Sequence, residues 1–212
     1  MIYLTSDLHA GLNMKGIEQF KEICGPDDWL LILGDTELFF QETEENKKFS
    51  EYFMALTCNI AIMDGNHENF DYFYGLPEED WNGGRIHRLT KNIIHLMRGY
   101  VFELDGKTFF TMGGCKSSKK WAEMGLWWPQ ENPSAEEIQR AYDNLAQHNN
   151  CVDYIFTHKY QPDPNADPLT LEGLVSYIDK NVTFKHYYAG HWHLTKEVDE
   201  KHTYVFAELI SI

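Results

Sequence analysis

The sequence predicts an α/β fold, and three observations carry that prediction. Apolar runs of strand length alternate with amphipathic helical stripes at the start of the chain, in the order strand–helix–strand–helix–strand. Short β candidates then cluster in the middle, two of them joined by the hairpin dipeptide Asp105-Gly106, which requires a second sheet or an antiparallel edge. Finally, five apolar runs each end abruptly in a polar turn rich in Asp, Asn and His.

Residues 1–6 form the first strand, left by Asp7, Leu8 and His9. In extended chain residues two apart point the same way, so Asp7 and His9 share a face while Leu8 turns inward. Ile17, Phe20 and Cys24 make a short helical stripe closed by Gly25-Pro26. Residues 29–33 are continuously apolar, the mark of a strand buried on both faces, and run into Gly34-Asp35. Between 43 and 57, Phe49, Tyr52, Phe53 and Leu56 mark one helix face, with Glu and Lys opposite. The strand 60–63 ends in Asp64-Gly65-Asn66-His67-Glu68, where Gly65 permits a tight turn close to a ligand. Residues 69–84 read as an aromatic loop, and 85–88, 93–97, 100–104 and 108–112 as strands.

After Gly113-Gly114 comes a long segment, 115–133, holding Lys116, Lys119, Lys120, Trp121, Trp127 and Trp128. Ser134 and Glu137 form a capping box for a helix faced by Ile138, Ala141, Tyr142 and Leu145. The strand 152–157 runs into His158 and a Pro-rich loop. Asp167-Pro168 then reads as N-cap and first-turn proline of a helix striped by Leu171, Leu174, Val175 and Ile178. The strand 186–189 runs into Gly190-His191-Trp192-His193, whose histidines alternate in extended chain, and 195–198 and 204–209 complete the strands. With no repeat or linker, residues 1–212 are expected to form a single domain.

Bulk properties narrow the function. A chain of 212 residues should bury roughly 70% of its unfolded surface and needs no staples. No apolar run approaches the roughly 20 residues of a membrane span, and the N-terminus has no leader pattern. The four widely spaced cysteines read as reduced core residues of a cytoplasmic protein. A formal charge of −15 argues against long duplex nucleic acid as a partner, whereas a small phosphorylated substrate stays open because bound cations can dominate a local field. No protein partner is inferable.

The polar strand ends read Asp-x-His, Gly-Asp, Gly-Asn-His-Glu, a lone His, and Gly-His-x-His. Their order and composition resemble the calcineurin-like metallophosphoesterase family from Asp7 to His193. The resemblance implies two mainly mixed β-sheets packed face to face with helices outside, a four-layer α/β/β/α sandwich with a dinuclear site at the strand ends. By position, Asp7, His9 and His193 would bind one metal, Asn66, His158 and His191 the other, and Asp35 would bridge them. Two divalent ions roughly 3.5–4 Å apart can clamp an in-line phosphoryl displacement and turn a bridging water into the hydroxide nucleophile. Manganese is the expected ion, with Fe, Zn and Ni also suited to such ligands.

The resemblance places His67 beside the leaving oxygen as general acid or charge stabiliser. Many family members show Gly-Asp-x-x-Asp, whose second Asp orients this histidine. Here Leu38 stands at that position, so Glu37, Glu68 or the backbone must hold His67. His87, His95, His148, His186 and His202 lack such context and read as structural. In the 113–128 segment, Lys116, Lys119 or Lys120 meets substrate phosphate and Trp121 walls the pocket, or the lysines are solvated and the tryptophans cover a sheet edge. Gly-Gly-Cys-x-Ser and Trp-Trp-Pro-x-Glu are also similar to a bacterial and phage-type branch of the family. The expected activity is phosphoester hydrolysis, phosphodiesters narrowly ahead of monoesters. The alternatives are a non-catalytic interaction module on the same fold, or a nuclease.

Overall fold

The computed structural model describes residues 1–212 and contains two mixed sheets. The first is ordered β13 (Ile210–Ser211), β1 (Ile2–Thr5), β2 (Trp29–Ile32), β3 (Asn59–Ile62), β6 (Ile93–Leu96), β5 (Gly84–Arg88), β4 (Glu78–Trp81). The second is ordered β11 (Lys196–Glu197), β12 (His202–Tyr204), β10 (His186–Ala189), β9 (Tyr154–Thr157), β8 (Lys107–Met112), β7 (Tyr100–Leu104). Both have parallel centres and antiparallel edges, so the antiparallel middle of the chain supplies an edge to each.

Side-chain alternation along the strands builds four layers. Ile2, Leu4, Leu31, Leu33, Ala61, Met63, Ile94 and Leu96 point between the sheets, against Phe102, Phe109, Phe156 and Val205. Leu30, Ile32, Ile60 and Ile62, of opposite parity, face Ile17 and Phe20 of α1 (Lys15–Ile23) and Phe49 and Phe53 of α2 (Glu44–Met54). The outer face of the second sheet, through Phe110, Met112 and Ile155, meets two further helices. Two short helices precede them in the chain, α3 (Phe70–Tyr74) and α4 (Lys119–Glu123). The packing pair is α5 (Ala135–Gln147), through Ile138, Ala141 and Leu145, and α6 (Leu171–Asn181), through Leu174, Val175 and Ile178. Fully buried aliphatics such as Ile62 are expected to cost about 2–5 kcal/mol on truncation to Ala.

The register explains why polar turns far apart in sequence meet. Thr5 pairs with Ile32 and Ile32 with Ile62, so the carboxyl ends of β1, β2 and β3 finish level. Thr157 and Ala189 likewise align at the ends of β9 and β10. Ligands of open α/β sheets bind at such edges.

Some boundaries differ from those the sequence predicts. The 69–84 loop contains α3, N-capped by the Asn69 side chain, and β4. The edge strand β4 has no apolar alternation and is tied instead by Arg85 to Glu78 and Asp80, and by Arg88 to Glu79. The N-cap of α6 is Thr170, which accepts from Gly173 N, while the Asp167 carboxylate accepts from Leu169 N in the preceding turn. Of the expected strand 204–209 only Tyr204 is strand, at the end of β12; the chain turns at Ala207, whose φ is 52°, and crosses to pair β13 with β1. The Asp105-Gly106 turn has positive φ at both residues, as a tight hairpin requires, and the Ser134–Glu137 capping box is formed. No helix is long and apolar enough to cross a membrane.

Candidate metal centre

The turns that carry the site are left-handed. Asp7 (φ 58°), His9 (45°), Asp35 (55°), His191 (71°) and His193 (51°) all lie in a region that costs non-glycine residues roughly 1–2 kcal/mol each. The extended alternation expected at Asp7-x-His9 and His191-x-His193 is therefore replaced by left-handed backbone at all four residues. Backbone bonds hold two of these turns together: Asp7 N donates to Gly34 O and His9 N to Asp35 O, each at 3.0 Å. Gly34, with φ 98°, has no room for a Cβ, which would strike the His158 ring. At Gly65 a Cβ would strike the Asp35 carboxylate, which explains the glycine before Asn66.

The seven ligand candidates fall into two adjoining groups. In the first, His9 Nε2 lies 2.9 Å from His193 Nε2 and 3.7 Å from Asp35 Oδ2, and His193 Nε2 lies 3.5 Å from Asp7 Oδ1. In the second, Asn66 Oδ1 is 3.2 Å from His158 Nε2 and 3.1 Å from His191 Nδ1, and the two imidazole nitrogens are 3.3 Å apart. Asp35 faces both groups, with Oδ1 3.4 Å from His158 Nε2 and Oδ2 toward His9.

Outward contacts set which atoms face inward. His158 Nδ1 donates to Leu33 O at 2.7 Å, which leaves Nε2 with its lone pair toward the group. His9 Nδ1 donates to Glu37 Oε1 at 2.9 Å, with the same consequence for its Nε2. Asn66 Nδ2 donates to Ser117 Oγ at 2.9 Å, so its carbonyl oxygen turns to the histidines. Asn66 Oδ1, His158 Nε2 and His9 Nε2 thus turn inward together, a donor set suited to divalent cations.

Electrostatics follow the same division. Burial, with His158 beside it, pushes the His191 imidazole down to about 3. Burial alone would raise the Asp7 carboxyl, but His193 and His158 bring it below the usual range. His9 is raised despite burial, by its bond to Glu37 and by the Asp35 charge, so this part of the site already favours positive charge.

His67 is buried at the cavity wall, its backbone N–H donating to Asp35 Oδ1 at 2.8 Å and its ring edge-on to Trp121 at 4.3 Å. Its Nδ1 lies 3.3 Å from Glu37 Oε1, within ion-pair distance although not aligned as a hydrogen bond. Glu37 therefore stands between His9 and His67. Burial would raise its carboxyl, yet these two histidines hold it at about 2. Glu68 is turned away, accepting from Thr36 N, Thr36 Oγ1 and Gly65 N, and Leu38 is in the core.

A cavity of about 830 Å³ opens over both groups. Trp121 and Lys116 line it, with Ser117 and Gln41. Lys119 and Lys120 are exposed on α4 and are not among its lining residues, so the lysine at the cavity is Lys116. The residue that sequence reasoning missed is Cys115: buried, its Sγ donates to Asn66 Oδ1 at 3.0 Å and lies 3.5 Å from His191 Nδ1. Its only signal was a place in Gly-Gly-Cys-x-Ser after a strand. All four cysteines are free, but Cys151 is exposed and Cys24 and Cys58 only half-buried, so Cys115 alone fits the expected core position. The other histidines pair elsewhere, His95 with Asp64, His148 with a helix carbonyl, His186 with Thr203 and His202 with Asp179 and Asp199.

No curated protein matches this chain. The family model described as calcineurin-like phosphoesterase matches residues 1–194, a span that contains all five strand ends and every residue placed at the site above. The family binds divalent metals and acts on phosphoesters, in keeping with the converging donors. The chain belongs to the calcineurin-like phosphoesterase family.

Proposed function

We propose that this chain hydrolyses a small phosphoester, phosphodiesters narrowly ahead of monoesters, with two divalent ions held at the strand ends. The observation that carries the proposal is the inward convergence of lone pairs, fixed by outward bonds from His158, His9 and Asn66. Asp7, His9 and His193 would hold one ion, Asn66, His158 and His191 the other, and Asp35 both. Bound there, the ions would supply Lewis-acid stabilisation of phosphoryl charge and acidify water. The mixture of imidazole, carboxylate and amide suits Mn, with Fe, Zn or Ni as alternatives.

The chain's own residues supply the rest. His67 reaches the cavity beside Asp35 and gives a proton to the leaving oxygen. Glu37, 3.3 Å from His67 Nδ1, orients the ring. Lys116 attracts the phosphate, and Trp121 offers an apolar wall beside His67, room that a diester's second substituent would use. The free thiols fit a reducing, cytoplasmic setting.

The test is an activity panel on metal-stripped protein reconstituted with Mn, Fe, Zn or Ni. Aryl and alkyl monoesters, diesters, cyclic nucleotides and oligonucleotides would be compared. Metal-dependent turnover of small esters, with diesters leading, supports the proposal. Turnover of oligonucleotides alone would favour the nuclease reading, and no turnover with any ion the interaction module.

A further inference from the structure

The proposed metal pair is asymmetric in its donors, and the difference is Cys115. We infer that Cys115 is an additional protein ligand at the Asn66–His158–His191 position, making that position selective for a borderline ion such as Zn(II) or Fe(II) over Mn(II). This rests on the two-ion reading above and specifies one half of it.

Four donor atoms surround one point. Cys115 Sγ is 3.0 Å from Asn66 Oδ1 and 3.5 Å from His191 Nδ1. Asn66 Oδ1 is 3.1 Å from His191 Nδ1 and 3.2 Å from His158 Nε2, and the two imidazole nitrogens are 3.3 Å apart. With Asp35 as a fifth donor, bonds of about 2.0–2.3 Å place neighbouring donors roughly 2.8–4.0 Å from each other. The observed spacings already lie in that range.

The backbone delivers the sulfur to this point. Gly114 N donates to Asp64 O at 3.0 Å, which ties the end of β8 to the end of β3 just before Asn66. Gly114 has φ 82°, and at Gly113 a Cβ would strike the Asp64 carbonyl, so two glycines let the chains come close enough for Cys115 to face Asn66. Cys115 belongs to the core cluster on the outer face of the second sheet, yet its sulfur also lies against an amide oxygen and an imidazole, which packing for volume alone does not require.

Thiolate donors favour Zn and Fe, whereas carboxylate-rich sets suit Mn. The other group, Asp7, His9 and His193, has no sulfur, and His193 is half-exposed. On binding, the Cys115 S–H bond breaks, an S–metal bond forms, and the proton leaves to solvent. The oxidation state of neither sulfur nor metal changes.

The experiment uses Co(II) on the full-length chain carrying Cys24→Ser, Cys58→Ser and Cys151→Ser, so that Cys115 is the one remaining thiol. Anaerobic titration should raise a near-ultraviolet sulfur-to-cobalt band that saturates at one equivalent while total binding reaches two. Adding Cys115→Ala should remove the band, and Zn affinity at one position should fall by roughly tenfold or more, with Mn affinity at the other unchanged. Two bound Co(II) ions without the band would overturn the Cys115 assignment and leave the two-ion reading standing. Cobalt that does not bind at all would overturn both. The spectrum of the three-serine protein decides even if the alanine variant folds poorly, and Cys115→Ser, close in volume, gives a second comparison.

Discussion

Two buried polar clusters leave β3 on either side of Gly65, and they are built on opposite principles. Asp64 points into a salt-bridged network: His95 Nε2 at 2.7 Å, Arg98 Nε at 2.7 Å, and beyond them His87 against His95 and Glu137 against Arg98. Burial would raise the Asp64 carboxyl, but Arg98 and His95 hold it well below the carboxylate range. Asn66, two residues on, points into a group where oxygen, nitrogen and sulfur face one another with no Lys or Arg between them. Both clusters contain buried histidines. What separates them is charge: a guanidinium stands inside the Asp64 cluster, whereas the Asn66 group is made of amide, imidazole and thiol.

The sharpest way to break this comparison is to remove one charge from each side. Asp35→Asn keeps an acceptor for His67 N yet removes one of two carboxylates from the Asp7 group and the one carboxylate from the Asn66 group. Activity should fall by more than the roughly 10–100-fold that outer-shell losses cost, while the metal-free protein melts at the same or a higher temperature. Arg98→Met should do the reverse. It strands the Asp64 carboxylate at an expected cost of about 3–5 kcal/mol, measured by denaturant unfolding, with metal bound per folded chain unchanged.

His67→Ala should keep both ions and lower kcat by roughly 10²–10⁴-fold. The loss should shrink for nitrophenyl esters, whose leaving groups need no proton. Equal losses for nitrophenyl and alkyl esters would remove the acid role and leave His67 as a positioning or charge-stabilising group.

The two glutamates beside the site separate next. Glu37→Gln should cost roughly 10–100-fold in activity through His67 and His9. Glu68→Gln should act mainly on stability, since its carboxylate is spent on Thr36 and Gly65. Equal kinetic effects from the two would contradict the geometry.

At the rim the expected effects are smallest. Lys116→Ala should raise KM more than it lowers kcat, and Lys119→Ala and Lys120→Ala should do little, given their exposure outside the cavity. Trp121→Ala should weaken nucleotide esters by about 1–3 kcal/mol if a base stacks there, with nitrophenyl esters barely changed. A uniform drop with lower melting temperature would make Trp121 structural.

Much of this was legible in the sequence because parallel strands end level: an apolar run followed by Asp, Asn or His declares both the strand and the side of the sheet it serves. The four-layer arrangement was legible through the family resemblance, and the strand alternation of Ile2/Leu4 against Leu30/Ile32 agrees with it. What stayed hidden is non-local or conformational. The left-handed turns at Asp7, His9, Asp35, His191 and His193 are sequences that periodicity reads as extended, because their strain is offset by partners elsewhere in the chain. The edge strand β4 has charge pairing in place of an apolar stripe. Cys115 looked like any core cysteine until the stitch between Gly114 and Asp64 set it against Asn66. Glu37, open between three explanations, is singled out only by its distances to two histidines.

The central claim is that the converging lone pairs at the strand ends exist to hold cations. Elemental analysis of metal-stripped protein reconstituted with Mn or Zn and freed of excess ion tests it most directly. The account predicts two ions per chain in the wild type, near none in Asp35→Asn, and two per folded chain in Arg98→Met. A well-folded wild type that retains no ion under any of these conditions would contradict it.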